Sequence, residues 1–301
     1  SQIKPDVVHQ FTIKSVIYGS IAAKLTGVKL IINTFTGLGQ IYFMREKKQF
    51  VINKIITFIY RRILSIKNSK IVVQNSADID ELEKISQKSL KNIFLIPGSG
   101  VDVNYFKRKY PKKYFSKIPK ILFPARIIKE KGFQELIDAC YSLWNQNYVF
   151  ELLIAGSVDE GNNSCISKEE FRKIKLDKKI ICLGHINNMK DLYENSDLVV
   201  LPSWREGLSK SLIEAASMEC PVITTDVPGC KDIIQNNVDG LLVPVRRPKE
   251  LKKAIEKLLL NHSMAISFGV SARKKVKSKF EVSKINKMNI DLYNSSLGNL
   301  Y

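Results

Sequence analysis

The chain has 301 residues, of which 48 are Lys or Arg and 29 are Asp or Glu, so its formal net charge is +19. Apolar residues make up 45% of the composition, which excludes disordered and fibrous proteins, and the length is typical of two globular domains. The five cysteines form no CxxC pair and cannot all pair with one another, which favours a reducing compartment. No apolar run reaches the length of a membrane-spanning helix, so we predict a cytoplasmic protein.

The positive charge is concentrated in the first part of the chain. Residues 1–120 contain 22 Lys and Arg against 7 Asp and Glu, a net +15, whereas residues 121–301 contain 26 against 22, a net +4. Such a charge is compatible with nucleic acid, an anionic membrane surface or phosphorylated substrates. The sequence shows no zinc-finger spacing, helix-turn-helix signal or RNP-like aromatic pattern, so nucleic acid is the least favoured of the three.

Short β-branched runs alternate with helical stretches, a pattern that predicts an α/β protein with parallel sheets covered by helices on both faces. The first series, residues 1–110, has strand candidates at 6–9, 28–34, 69–74 and 92–97 and helix candidates at 15–26, 50–66 and 78–88. It lacks the leading strand and Gly-rich turn of a doubly wound domain, so we expect this domain to be N-terminally incomplete.

The helix predicted at 50–66 carries isoleucines at helical spacing together with several cations. The isoleucines are Ile52, Ile55, Ile56, Ile59, Ile63 and Ile66. One interpretation is a core-facing helix with a solvated basic side. The other is that its cations, with those of the linker described next, dock on anionic lipid.

A second series of strands and helices fills residues 120–279. Its strand candidates are ILFPAR, YVFELLIAG, KIICLG, DLVVLPS, PVITTD and GLLVPV. Residues 111–119, rich in Pro and Lys, are interpreted as the linker between two Rossmann-like doubly wound domains. Residues 280–301 have apolar positions at helical spacing and predict a C-terminal helix that could return to the first domain.

Two carboxylates and a helix start follow the strand candidate that ends in LPS. Ligands of open α/β sheets bind beyond the carboxyl ends of the strands, and Glu206 lies in the turn at this position. The amides of Gly207, Leu208 and Ser209 lie at the predicted helix start, where an anion such as a phosphate is favoured. Glu214, eight residues after Glu206, could accept hydrogen bonds from the hydroxyl groups of a sugar.

Two cations follow the first strand of the second series in the same way. Arg126 and Lys131 lie on the turn of ILFPARIIKEKG, and Gly132 opens the next helix. An arginine fork and a lysine point charge at a strand end suit a diphosphate.

The segment REGLSKSLIEAAS resembles the E-x7-E signature of family 4 glycosyltransferases, matched by Glu206 and Glu214, and ECPVITTDVPGCKDIIQNNVDGLLVPV is similar to that family's continuation. NTFTGLG and IPGSGVD resemble the bacterial subgroup that extends lipid-linked surface glycans. The resemblance implies a GT-B fold, retention of anomeric configuration and no catalytic metal or cofactor. It also implies that Arg126 and Lys131 neutralise the donor diphosphate, that Glu206 positions the donor sugar and that Glu214 contacts the ribose.

The resemblance further implies a role for His9, at the end of the first strand, in facing the donor sugar. A second His that the family has two residues later is Phe11 in this chain. A lone His beside apolar residues is otherwise more often a structural residue.

The sequence therefore predicts a retaining, metal-independent hexosyltransferase. We expect it to move a hexose or N-acetylhexosamine-type sugar from a nucleotide-sugar, expected to be UDP-linked, to a lipid-diphosphate-linked glycan in O-antigen, capsule or surface-glycan biosynthesis. The expected location is the inner face of the cell membrane, as a peripheral protein. The alternatives are a sugar-nucleotide epimerase or hydrolase on the same fold, a basic nucleic-acid-binding protein, and an inactive fragment that keeps the donor domain.

Overall fold

The computed structural model describes residues 3–38, 49–159, 161 and 164–298, without the side chains of residues 49–53 and 168. The chain forms two compact units. The first unit combines Ser1–Ser99 with Ser283–Tyr301, and the second is Gly100–Val282. Each unit contains a parallel sheet with helices packed on it, so the predicted α/β class is confirmed.

The first unit contains four parallel strands in the spatial order β1-β2-β3-β4. The described elements of this unit are β1 (Val7–Phe11), α1 (Ile13–Leu25), β2 (Leu30–Phe35), α2 (Gln49–Leu64), β3 (Ser69–Val73), α3 (Ser76–Ser86), β4 (Ile93–Leu95) and, at the end of the chain, α10 (Val282–Leu297). All seven predicted segments at 6–97 correspond to elements in this order, with ends shifted by a few residues.

Side chains of alternate strand residues point to opposite faces of this sheet, and different helices pack on the two faces. Ile71 and Val73 pack into a cluster with residues of α1, α2 and α3. Val72 packs into a separate cluster with Ile285 and Leu292 of α10. The C-terminal helix is therefore part of the first unit, although 183 residues of the second unit precede it.

Helix α2 and the turn after it bury most of the predicted isoleucine face, since Ile56, Ile59, Ile63 and Ile66 pack into core clusters. Tyr60 and Leu64 are buried in the core together with Ile63. Ile55 is instead 53% exposed, because it lies beside Phe58 on the outward side of the helix. Ile52 lies among the residues whose side chains are not described, and Gly39 of the NTFTGLG loop lies outside the described residues.

The second unit contains six parallel strands in the order β10-β9-β8-β5-β6-β7. Its elements are β5 (Lys120–Phe123), a single 3-10 turn (Lys129–Lys131), α4 (Phe133–Trp144), β6 (Glu151–Ala155), α5 (Lys168–Lys175), β7 (Ile180–Gly184), α6 (Met189–Asn195), β8 (Leu198–Leu201), α7 (Lys210–Ser217), β9 (Val222–Thr225), β10 (Leu241–Val243), α8 (Pro248–Leu260) and α9 (His262–Lys279). From β5 the chain winds outward to β7, and then returns to β8 and winds outward in the opposite direction. This is the doubly wound order that was predicted.

The boundary between the units differs from the predicted linker at 111–119. It falls between Ser99 and Gly100, and the proposed linker residues belong to the second unit. The reason is a buried carboxylate: Asp197, which is fully buried, accepts hydrogen bonds from the backbone N–H groups of Ser116 and Lys120 and pairs with Lys112. The Pro- and Lys-rich composition predicted a linker without contacts to either unit. The contacts with Asp197 instead hold the segment on the second unit.

Among the helices of the described residues, none is both long and apolar enough to cross a membrane.

Candidate active site

The candidate site lies at the carboxyl ends of β5 and β8, the two central strands of the second unit. These strands are hydrogen-bonded neighbours, and the chain leaves them toward opposite sides of the sheet. In doubly wound sheets this position is the crevice in which ligands bind. The turn with Lys131 follows β5 and the turn with Glu206 follows β8, so the topology brings the two sequence motifs together.

Lys131 and Glu206 form the closest contact between the two turns. The Lys131 Nζ atom lies 2.6 Å from Glu206 Oε1, and the two side chains are 21% and 10% exposed. The hydroxyl of Ser203 donates to the same carboxylate oxygen at 2.7 Å. Ser203 was not predicted from the sequence, where its one signal is its position two residues after the end of β8.

A glycine allows the two turns to approach this closely. Gly132 has φ +70°, and a Cβ atom on it would lie 2.0 Å from the carbonyl oxygen of Pro202. The backbone N–H of Trp204 also donates to the carbonyl of Glu130 at 2.8 Å. The β5 and β8 turns are therefore joined through their backbones as well as through the ion pair.

Trp204 fixes the β8 turn on its other side. Its indole N–H donates to Glu135 Oε1 at 2.8 Å, and the guanidinium of Arg246 lies 3.8 Å from the ring centroid. These three side chains come from the β8 turn, from α4 and from the loop after β10. This arrangement was not predicted from the sequence, because no local spacing relates the three positions.

Arg126 lies on the same β5 turn but has a different partner from Lys131. Its guanidinium lies 2.6 Å from Asp159, and both side chains are partly exposed. Asp159 follows β6, and the loop is brought close by Gly156, where a Cβ atom would lie 1.9 Å from the Ala125 carbonyl oxygen. Arg126 is thus held near the strand end by a carboxylate that no sequence motif indicated.

Glu214 lies inside α7 and is largely buried. The hydroxyl of Tyr193 donates to its Oε2 at 3.3 Å, and Lys210 lies 3.9 Å from its other oxygen. Burial raises the pKa of Glu214, against the opposing effects of Lys210 and Tyr193. Burial and the adjacent Glu214 carboxylate raise the pKa of Tyr193, which favours its protonated, donating form.

The amides predicted to bind an anion lie just ahead of α7. Ser209 is the N-cap residue, and its hydroxyl makes no capping hydrogen bond to the helix backbone. The loop carrying Gly229 packs against this turn, because a Cβ atom on Gly229 would lie 2.6 Å from the carbonyl oxygens of Glu206 and Gly207. Leu208 packs against the core of the second unit. The role of Gly207, Leu208 and Ser209 in binding a phosphate stays a prediction.

His9 belongs to the first unit, where both of its ring nitrogens have partners. Nδ1 lies 2.5 Å from the hydroxyl of Tyr293 on α10, and Nε2 lies 2.7 Å from the hydroxyl of Thr34 on β2. Phe11 stacks on the imidazole with ring centroids 4.2 Å apart. Burial lowers the pKa of His9, which favours the neutral ring, and the two contacts fix its orientation. Its role toward a donor sugar stays a prediction.

Comparison with known families agrees with these features. Residues 106–275 match the family described as glycosyl transferases group 1, and residues 1–75 match the glycosyl transferase 4-like family. The chain belongs to the group 1 glycosyl transferases. The predicted family is therefore confirmed.

Relatives and solved structures extend the similarity over nearly the whole chain. The capsular polysaccharide biosynthesis glycosyltransferase CapM of Staphylococcus aureus is 30% identical over 300 residues, which cover 98% of this chain and 78% of the relative. The N,N'-diacetylbacillosaminyl-diphospho-undecaprenol alpha-1,3-N-acetylgalactosaminyltransferase of Campylobacter jejuni is 26% identical over 278 residues, covering 89% and 71%. The crystal structure of Anabaena Alr3699/HepE in complex with UDP and glucose has a TM-score of 0.79 and 18% identity, covering 96% and 78%. At this identity the last comparison supports the fold alone.

The close contact at Gly132 leads to a stability prediction. We expect Gly132→Ala to lower the free energy of unfolding by about 2 kcal/mol more than Gly184→Ala, because the new methyl group collides with the Pro202 carbonyl. Gly184 is the matched control, since its φ is also +70° but no atom lies within 4 Å of the position that a Cβ atom would take there. Urea unfolding of both variants measures the difference. Equal losses would mean that only the left-handed backbone matters at Gly132.

The buried Glu214 leads to a prediction of pH-dependent stability. Because burial raises its pKa, the folded protein retains a proton that the unfolded chain releases, and the free energy of unfolding falls as the pH rises between the two pKa values. Glu214→Gln replaces the carboxyl group with an amide that does not ionise, so this fall in the free energy of unfolding is removed. We expect the Tm of the variant to exceed that of the wild-type protein at neutral pH, and the difference to vanish below about pH 4.3.

Glu256 provides a control of opposite sign for this measurement. The Tyr148 hydroxyl lowers the pKa of Glu256, so its contribution to stability is present at neutral pH and is lost on acidification. Glu256→Gln should therefore lower the Tm at neutral pH. A fall in Tm for both variants would contradict the assignment of Glu214 as a carboxylate that burial destabilises.

Proposed function

We propose that this glycosyl transferase moves a hexose or N-acetylhexosamine-type sugar from a UDP-linked donor to a lipid-diphosphate-linked glycan, with retention of configuration. The observation that carries the proposal is the contact of Lys131 with Glu206 at the carboxyl ends of β5 and β8. A cation for the diphosphate and a carboxylate for the sugar are thereby adjacent, as the two parts of a nucleotide-sugar are.

In this proposal Arg126 and Lys131 bind the donor diphosphate. As the bond between the sugar and the diphosphate breaks, negative charge develops on the leaving phosphate oxygen, and cations fixed nearby stabilise that charge. Both cations are held by carboxylates in the structure, Arg126 by Asp159 and Lys131 by Glu206. A diphosphate would replace or share these partners, so the side chains are already oriented when the donor arrives.

The carboxylates would then bind hydroxyl groups. Glu206, released from Lys131, accepts hydrogen bonds from the transferred sugar, while Glu214 accepts them from the ribose, with Tyr193 keeping the carboxylate in place. The amides of Gly207, Leu208 and Ser209 at the start of α7 supply further donors to the phosphates. His9, held by Thr34 and Tyr293, is proposed to face the donor sugar as a neutral imidazole.

Retention follows if the acceptor hydroxyl attacks from the face on which the diphosphate leaves. The acceptor oxygen forms a bond to the anomeric carbon, the bond from that carbon to the phosphate oxygen breaks, and the proton of the hydroxyl passes to the departing phosphate oxygen. This scheme needs neither a protein general base nor a metal ion. The name of the Campylobacter jejuni relative specifies an alpha linkage, which supports the proposal because UDP-hexose donors of this type carry α-linked sugars.

The names of the relatives also support the proposed acceptor and pathway. One relative is named for capsular polysaccharide biosynthesis and the other for transfer to a sugar on diphospho-undecaprenol. An acceptor of that kind is anchored in a membrane. We therefore propose that the protein acts in bacterial capsule or surface-glycan synthesis, on the cytoplasmic side of the membrane and at an anionic lipid surface.

Removal of either member of the ion pair tests the site. We expect Lys131→Ala and Glu206→Ala to lower kcat about 100-fold or more in the full-length enzyme, because each removes a group that stabilises the transition state. Lys129→Ala, in the same turn, and Glu169→Ala should keep near wild-type rates. Initial rates of sugar transfer give the comparison, with the Tm recorded for each variant. Near-normal turnover of both site variants would refute the assignment.

A donor screen tests the reaction itself. The full-length protein is incubated with a panel of nucleotide-sugars, with and without a polyprenyl-diphosphate glycan acceptor, and released nucleotide and product anomer are measured. We expect release from a UDP-sugar that depends on the acceptor, an α-linked product and unchanged rates in EDTA. Release that ignores the acceptor would indicate a hydrolase, and conversion of the donor without release would indicate an epimerase.

A further inference from the structure

Residues 107–118, here called the aromatic-basic segment, form a surface of the second unit that the proposed reaction does not use. The segment reads KRKYPKKYFSKI, with six cations and no carboxylate. It lies directly before β5 and therefore at the amino ends of the strands, whereas the candidate site is at their carboxyl ends. A second role for this surface is compatible with catalysis because the two are at opposite edges of the sheet.

Three side chains of the segment, spaced three or four residues apart, anchor it to the domain. Arg108 is buried and donates to the backbone carbonyls of Tyr193 and Glu194 at 3.1 and 2.7 Å. Lys112 pairs with buried Asp197 at 2.6 Å. Phe115 is buried and stacks on His262 with ring centroids 4.2 Å apart. Two of the cations and one aromatic ring are thus used to hold the segment in place.

The side chains between these anchors point outward. Tyr110 is 69% and Tyr114 is 81% exposed. Lys109, Lys113 and Lys117 are exposed beside them. Tyrosine and lysine therefore alternate along a strip whose backbone is already ordered, so binding through it costs little conformational entropy.

The electrostatic surroundings of the strip are positive. The sequence has nine Lys and Arg and no Asp or Glu between Asp102 and Glu130. Two nearby carboxylates are engaged with the segment itself, since Glu194 accepts from the backbone N–H of Lys109 and the fully buried Asp197 pairs with Lys112. The charge of the strip therefore favours an anionic partner.

We propose that the aromatic-basic segment docks the second unit on the anionic headgroups of a membrane. Tyrosine is suited to this position, because its ring enters the interfacial layer while its hydroxyl stays hydrated, and lysine stems extend to the phosphates. The inference rests on the proposed function in one respect, namely that a lipid-linked acceptor lies in that membrane. It goes beyond that proposal by assigning the contact to particular residues of the donor-binding unit.

Vesicle binding of the full-length protein, without donor or acceptor, tests the proposal. Vesicles of phosphatidylcholine alone are compared with vesicles that also contain phosphatidylglycerol. We expect binding to the anionic vesicles only, weakened about tenfold or more by Lys113→Glu with Lys117→Glu, since each cation near the surface contributes about fivefold. Tyr110→Ser with Tyr114→Ser should weaken binding in the same direction. Unchanged Tm values show that the variants are folded.

The same unit offers matched controls. Lys178→Glu with Lys249→Glu changes the same charge at exposed positions, and Val149→Ser with Leu176→Ser removes apolar side chains that are 69% and 82% exposed. We expect these variants to bind vesicles as the wild-type protein does. Equal weakening of vesicle binding by test and control variants would overturn the proposal. It would mean that binding depends on net charge or on exposed apolar area anywhere on the unit, and not on the segment.

Two further measurements separate this proposal from its alternatives. If a single-stranded RNA binds the protein more tightly than the anionic vesicles at equal salt, and the segment variants abolish that binding, the partner is nucleic acid and the proposal fails. Transfer to a water-soluble acceptor separates it from the proposed function. The segment variants should retain this transfer. If the wild-type protein binds anionic vesicles but transfers no sugar, the proposed function is refuted and the docking proposal is not.

Discussion

The adjacency of β5 and β8 is the constraint on which the candidate site depends. Parallel strands end at the same edge of a sheet, and these two neighbours send their chains to opposite sides, which opens a crevice between their turns. The contact of Gly132 with the Pro202 carbonyl then sets the separation of the turns. At that separation Lys131 reaches Glu206, so the close backbone approach and the ion pair occur together.

The charges of the site are balanced in a way that suits a charged ligand. Lys131 and Arg126 each have a carboxylate partner, so neither cation is left uncompensated near the strand ends. Glu214 is different, because burial makes its ionised form costly and its nearest cation is 3.9 Å away. Burial of this carboxylate does not favour folding at neutral pH, which agrees with the binding role proposed for Glu214. The shortest ion pairs of the site are thus those of Lys131 and Arg126 with their carboxylates, both at 2.6 Å.

Parts of the fold and the site could be predicted because their signals are local. Short apolar runs and helical periodicity located the elements, and the residues following each strand located Arg126, Lys131, Glu206 and Glu214. The partners of these residues could not be found in this way, because Asp159 and Tyr193 lie 33 and 21 residues from the side chains they contact. The outward position of Ile55 was missed for a related reason, since helical spacing alone does not specify how wide a face of α2 the neighbouring elements cover.

The sequence by itself determined the α/β class, the family, and the identity of the charged residues that follow the β5 and β8 strands. It did so because strand patterns and the E-x7-E segment are contained in short stretches of chain. Tertiary structure decided which charges pair, where the first unit ends, and that α10 and Tyr293 belong with His9. It also divided the cations of the aromatic-basic segment into anchors and an outward strip. Those outcomes depend on contacts between residues distant in the chain, and composition alone cannot distinguish Lys112, which pairs with buried Asp197, from an exposed Lys113.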